Sequence, residues 1–357
     1  MLAAVTEASG ENHGFFSDAI CFEDKGDNPH TVSSLRDLAK ASTIGWIMSG
    51  AAAAVATCIS MVLVYKHAQY YYKPNQQRYI IRICMMVPIY AVVSWLSYFY
   101  YRDSVYFEVL RDCYEAFVLA SFFILLLEYL GDTAEEQQAV IQSHWEPKKF
   151  PFPFNCISYS PASTHFLWGL KYAILQYVVL KPITTLVAMI THLFGLYCPE
   201  SYSPKFTHLY VVAVNFISVT VAMYALVTFY MVVSEDLKPF KPFYKFICVK
   251  LVIFFCFWQY VAISMLASFG LIHETEYWTK ANIANGLNSI IICFEMIIFA
   301  TLHVKAFDYR PYRPENRKRT KIWRGFVDSM NPMDSLREIW FGVQYFWCNI
   351  RGKPMPH

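Results

Sequence analysis

Six polar side chains lie deep in apolar stretches of this chain, where ordinary solvation fails. Lys181 stands in the middle of "WGLKYAILQYVVLKPITTLVAMI", beside Pro182. That proline removes one backbone donor and frees a carbonyl one turn earlier. Lys250 is about a third of the way into "KPFYKFICVKLVIFFCFWQYVAISML", and Gln259 is central in it. Glu295 is central in "NGLNSIIICFEMIIFATLHVKAF"; Asn288, seven residues earlier, shares its helical face. Asn215 adds an amide in a fourth stretch. Groups of this kind turn to a protein interior or a wet cavity when lipid surrounds the helix. Two chemistries fit them. They hold helices together through polar contacts, each worth roughly 0.6 kcal/mol and at most about 2. Alternatively they line the path of a polar solute.

A fifth stretch, "VLRDCYEAFVLASFFILLLEYLGD", carries Arg111, Asp112 and Glu115 at its head and Glu128 near its close. Arg111 and Glu115 are four apart, so they share a helix face and can pair. Arg111 is roughly 9 Å below the outer end at ~1.5 Å per residue, shallow enough for its stem to reach the headgroups. This group reads as an interfacial ion pair fixing a helix end, or as the polar mouth of a solute path.

Catalytic chemistry has no foothold. His67, His165, His192, His273 and His303 are scattered near the ends of different stretches, with no His-x-x-x-His pair. There is no Gly-x-Ser-x-Gly, phosphate loop or close aspartate pair. Neither a metal site nor a cofactor is expected, and the chain is not expected to be an enzyme. Receptor signatures are missing too: the third stretch ends "LEYLGD" without Asp/Glu-Arg-Tyr, and the seventh lacks Asn-Pro-x-x-Tyr.

The elements that position these side chains follow from composition. Of 357 residues, 56% are hydrophobic and 16% charged, well below the roughly one quarter charged of soluble domains. Seven apolar runs are long enough to span a bilayer: about 42–65, 80–101, 105–130, 166–190, 209–233, 243–272 and 283–305. An all-α, seven-span membrane domain over 42–305 is expected. It is flanked by an acidic tail at 1–41 and a basic tail at 306–357. Twenty Lys and Arg residues fall on the side of the C-terminal tail and six on the other. The positive-inside rule therefore places the C-terminus in the cytosol and the N-terminus in the lumen or outside. Residues 1–40 lack the apolar core of a cleavable signal. Cys21 and Cys198 fall on the outer side, where they either pair or stay free.

Five stretches in order resemble the organic solute transporter alpha-subunit-like family of seven-span proteins. They are "NQQRYIIRICMMVPIYAVVSWLSY", "RDCYEAFVLASFFILLLEYLG", "LKYAILQYVVLKPITTLVA", "FYKFICVKLVIFFCFWQ" and "NSIIICFEMIIFATLHVKAF". The resemblance implies carrier-like movement of lipids or amphipathic organic solutes, such as sterol conjugates. No acidic pair stands out as a proton or sodium coupling site, so passive or weakly coupled transport is expected. In the animal branch the resemblance also implies a single-span partner subunit. This chain looks more like the broader eukaryotic branch, which includes fungal vacuolar members. A vacuolar or endolysosomal membrane is therefore expected, with the plasma membrane as alternative. Family members often carry adjacent cysteines before the fourth span; here "FPFPFNCISYSP" keeps only Cys156, one acylation candidate.

The basic tail, "YRPYRPENRKRTKIWRG", follows the seventh span directly. Arg317, Lys318, Arg319, Lys321 and Arg324 are expected to contact anionic lipid headgroups rather than nucleic acid, with Trp323 and Phe326 dipping into the interface. Asn331 and Pro332 form a helix start signal, and apolar residues recur on one face from 333 to 350. An amphipathic helix over about 332–350 is expected, lying on the membrane or filling a groove. Within it, Trp340 and Val343 resemble an aromatic-x-x-aliphatic motif read by ubiquitin-like autophagy proteins, which some fungal family members recruit through a helical tail. The leading expectation is thus a transporter-like protein for amphipathic solutes. The alternative is a membrane scaffold whose tail recruits such a partner.

Overall fold

A computed structural model describes residues 35–100, 104–151, 156, 158–197, 204–269, 271–273, 280–313, 320–331, 333 and 344. The expectations for Cys21, Cys198, Arg317, Lys318, Arg319, Trp340, Val343 and the 332–350 helix lie almost wholly outside the described residues. In chain order the helices are α1 (Leu35–Gln69), α2 (Pro74–Cys84), α3 (Met86–Phe99), α4 (Ser104–Leu130) and α5 (Ala134–Ser143). Then come α6 (Thr164–Leu193), α7 (Thr207–Leu237), α8 (Pro242–Ser268), α9 (Lys280–Ala306) and α10 (Ile322–Met330). Between α5 and α6 a two-residue ladder pairs β1 (Lys148–Lys149) with β2 (Ser158–Tyr159).

Seven spans result, because α2 and α3 join end to end as one: Pro74–Phe99. The seam at Met85 has a local cause. Pro88 has no N–H to give the carbonyl of Cys84, so the helical ladder skips a rung there. The spans are apolar on all sides, as lipid requires of helices that bury only part of their circumference. Ile183, Phe216, Ile217, Phe254, Trp258 and Ile298 are each more than half exposed on the outside of the bundle.

Packing divides the bundle. α1, α3 and α9 form a tight group, with α8 on α9. Small residues make this possible: Ala52, Ala53 and Ala56 are buried, and a side chain added at Gly50 would fall 2.8 Å from the Trp95 indole nitrogen. Trp46 stacks on Trp95 with centroids 5.6 Å apart. On the other side α4 packs against α3 and α6, and α6 against α7. Polar contacts stitch that last pair: Gln176 and Ser218 exchange two hydrogen bonds of 2.8 Å, and Thr184 donates to Asn215 Oδ1 at 2.7 Å. Among the described residues α6 and α8 barely touch. The space between α6 and α8, beside α4, is termed the furrow.

At the basic end the chain turns polar groups inward. Gln77 donates to the carbonyls of His67 and Tyr70 and accepts from the N–H groups of Tyr72 and Lys73, closing the α1–α2 turn. Lys245 is buried in the first turn of α8. It donates to the Tyr129 hydroxyl at 2.7 Å.

α10 is not anticipated by the sequence reading. It lies along α2 and the end of α1. Gly325 lets it approach: a Cβ there would sit 3.2 Å from Ala68 Cα and from the Tyr71 ring. Tyr71 donates to Asp328 Oδ2 at 2.5 Å, and burial together with that bond pushes the Tyr71 phenol up from its ordinary range. At the far end Arg82, 1% exposed, donates to the carbonyls of Ser329 (2.7 Å) and Asn331 (2.6 Å). Those are C-terminal carbonyls of α10, which lack partners within the helix. The outer side of α10 exposes Trp323, Val327 and Met330 at helical spacing, with Lys321 and Arg324 beside them. Phe326 instead packs against the core.

Candidate functional site

The charged residues of α4 and the deep lysine of α6 meet. The helices run antiparallel, so each step along α4 matches a step back along α6. Lys181 Nζ lies 3.0 Å from Asp112 Oδ2. Three residues along α4, Glu115 accepts from the Tyr177 hydroxyl at 3.4 Å, one turn back along α6. Tyr90 of α3 donates to the other Glu115 oxygen at 3.3 Å. Arg111 Nε lies 4.0 Å from Asp112 Oδ1, and its guanidinium covers the Tyr90 ring at 5.7 Å. The Lys181 side chain is 14% exposed and that of Asp112 is 35%.

The remaining deep groups approach from α8 and α9. Lys250 is within electrostatic reach of Glu115. The Cys256 thiol is within reach of Arg111, Glu115 and Glu295 together, which brings Glu295 to the same region. Gln259 Nε2 donates to Asn288 Oδ1 (2.7 Å) and to its carbonyl (3.1 Å), clamping α8 to α9. Two buried acceptors, Gln259 Oε1 and Glu295 Oε2, take no hydrogen bond among the described residues. Such acceptors are costly in an apolar setting unless a donor reaches them.

The furrow therefore holds three cations, Arg111, Lys181 and Lys250, and three carboxylates, Asp112, Glu115 and Glu295. Further along α4 the interior is filled by Leu119, Phe122 and Phe123, each at most 2% exposed, with Phe122 packed on Phe246 of α8 and Phe123 on Phe229 of α7. Beyond that plug, toward the basic end, a cavity of about 180 Å³ opens between Leu127, Glu128, Lys171 and Leu175. The α4–α6 seam is thus polar at both ends and apolar between. That geometry can hold an amphiphile by its charged head while its apolar body faces lipid.

From sequence Arg111, Asp112 and Glu115 read as an interfacial ion pair or as the polar mouth of a solute path, with the deep lysine apart from them. The structure joins them: Lys181 takes Asp112 as its carboxylate. Counting depth along one helix could not show which residue of another lies level with it. Asn215 is engaged with Thr184 on the α6–α7 side, so it belongs to the stitching of that pair. Tyr90 and Tyr177 were missed, since tyrosines in an apolar run read as core; their one signal is a hydroxyl that needs a buried partner. Among the described residues no three His, Cys, Asp or Glu gather as a metal site.

The sequence profile of the organic solute transporter Ostalpha family matches residues 45–312. A transmembrane protein 184 homologue from Dictyostelium discoideum is 35% identical over 256 residues, covering 71% of this chain and 50% of the relative. The chain thus spans about half the length of that curated relative. No solved structure matches.

Proposed function

Because the chain belongs to the organic solute transporter Ostalpha family, we propose that it carries amphipathic organic solutes, lipids and sterol conjugates among them, through the furrow over α4. The family is of the membrane-transporter type and not an enzyme family. The carrying observation is the Lys181–Asp112 pair at 3.0 Å, set among Arg111, Glu115 and two tyrosine hydroxyls on a helix pair that parts from α8. An anionic head competes with Asp112 for Lys181 and Arg111. A hydroxyl on the solute supplies the donor that Glu295 Oε2 and Gln259 Oε1 lack. Charges of the two signs balance in the furrow, which favours movement down the solute's own gradient over ion coupling. The proposed setting is a vacuolar or endolysosomal membrane, with a single-span subunit as associate.

The test is uptake of a labelled steroid sulfate into proteoliposomes containing the purified chain. Saturable uptake that follows the solute gradient and ignores a protonophore or the removal of sodium is the expected result. Uptake no faster than in empty liposomes, for steroid sulfates and fatty-acid conjugates alike, contradicts the proposal.

A further inference from the structure

α1 and α9 pack along their length and stay joined at the basic end, where His67 Nε2 lies 2.9 Å from the Phe307 carbonyl oxygen. Beside their last turns a cleft of about 470 Å³ opens, walled by Val62, Leu63 and Val304. Lys66, Lys305 and Arg310 surround it. We infer that this cleft binds the phosphate-bearing headgroup of an acidic membrane lipid.

Charge is the first argument. Among the described residues one carboxylate, Asp308, lines the cleft, and it is already engaged. It accepts from the Arg310 backbone N–H at 3.1 Å and lies 3.9 Å from the Arg310 guanidinium. Lys66 rests its ammonium 5.9 Å over the Tyr309 ring. Among the described residues neither Lys66 nor Lys305 has a carboxylate within 4 Å. The cleft therefore carries three cations against one anion. Helix ends favour one lysine each, but that leaves the facing lysines and the arginine repelling one another across an open space. A phosphate between them removes the repulsion and accepts their donors.

The walls supply the second argument. Val62 and Val304 are 59% and 39% exposed and continue the lipid-facing surface of α1 and α9. A cleft with an apolar flank and a basic mouth suits a molecule that has a headgroup and acyl chains, in preference to a free phosphate. The Lys and Arg distribution assigns this end to the cytosol, where acidic lipids concentrate.

Full-length protein in phosphatidylcholine nanodiscs doped with phosphatidylinositol bisphosphate tests the inference, read by native mass spectrometry. One tightly held acidic lipid per chain is expected. Each cation near the surface contributes about a five-fold effect, so Lys66→Gln, Lys305→Gln and Arg310→Gln together weaken binding on the order of a hundred-fold. Lys238→Gln with Lys241→Gln, exposed at the same end, is the control and leaves binding within about two-fold. Should the triple variant not fold, the exposed single change Lys305→Gln still lowers affinity about five-fold. Equal binding by the Lys305 or triple variant, an equal loss in the control, or soluble inositol trisphosphate binding as tightly as the lipid overturns the inference.

Discussion

Lys181→Met combined with Asp112→Leu is expected to leave the bundle folded and to remove uptake. Each change alone should be worse for stability than the two together. Asp112→Leu strands an ammonium that is 14% exposed, whereas Lys181→Met strands a carboxylate that keeps a third of its exposure and still has Arg111 nearby. Removing one partner of a fully buried pair costs about 3–5 kcal/mol, so Asp112→Leu should cost roughly 2–3 and Lys181→Met less. Replacing both with apolar side chains is commonly neutral or stabilising. Function should follow the opposite course. If Lys181 holds the anionic head of the solute, losing that charge-assisted contact lowers uptake efficiency at least about ten-fold in the double variant. Thermal unfolding in detergent and steroid sulfate uptake, measured on the same preparations, check both halves. A double variant that is stable and transports normally would reduce the pair to a helix fastener.

Arg82→Met is expected to release α10. The guanidinium is buried under the Tyr79 and Phe117 rings, 5.0 and 5.4 Å from their centroids, and holds two carbonyls of the helix end. Hydrogen bonds to charged groups contribute about 1.5–3 kcal/mol each, so the loss should be on the order of 3–5 kcal/mol, concentrated in α10. Arg82→Lys should rescue little, since a single ammonium cannot span both acceptors as the planar fork does. The readout is protease cleavage within α10, at Arg324. Wild-type chain should resist it and both variants should be cut early. Equal cleavage of wild type and Arg82→Met would mean that Tyr71–Asp328 and Gly325 alone hold the helix.

The spans were legible because lipid imposes a simple rule: a long apolar run has few alternatives to a helix. Their bounds shifted where polar residues serve the interior. Gln76 and Gln77 are buried in α2 and extend the second span toward the basic end. α10 was not legible because its face is short and embedded in basic sequence. Trp323 and Phe326 drew attention as interfacial residues, yet only Trp323 stays outside while Phe326 packs inward. The site was half legible. Lys181, Lys250 and Glu295 stood out because charge at that depth needs an explanation. Their assembly with Asp112, Glu115 and Tyr177 did not, because it depends on the relative height of α4 and α6. That height is set by packing elsewhere, including the Gln176–Ser218 exchange.

The central claim is that an amphiphile sits in the furrow over α4 with its charged head at Lys181 and Arg111. A density map of the full chain in nanodiscs, with and without saturating steroid sulfate, tests it most directly. The account predicts solute density between α6 and α8, its sulfate within hydrogen-bonding distance of Lys181 Nζ or the Arg111 guanidinium, and the Lys181–Asp112 contact lengthened. An unchanged 3.0 Å pair with solute density elsewhere on the bundle would contradict it.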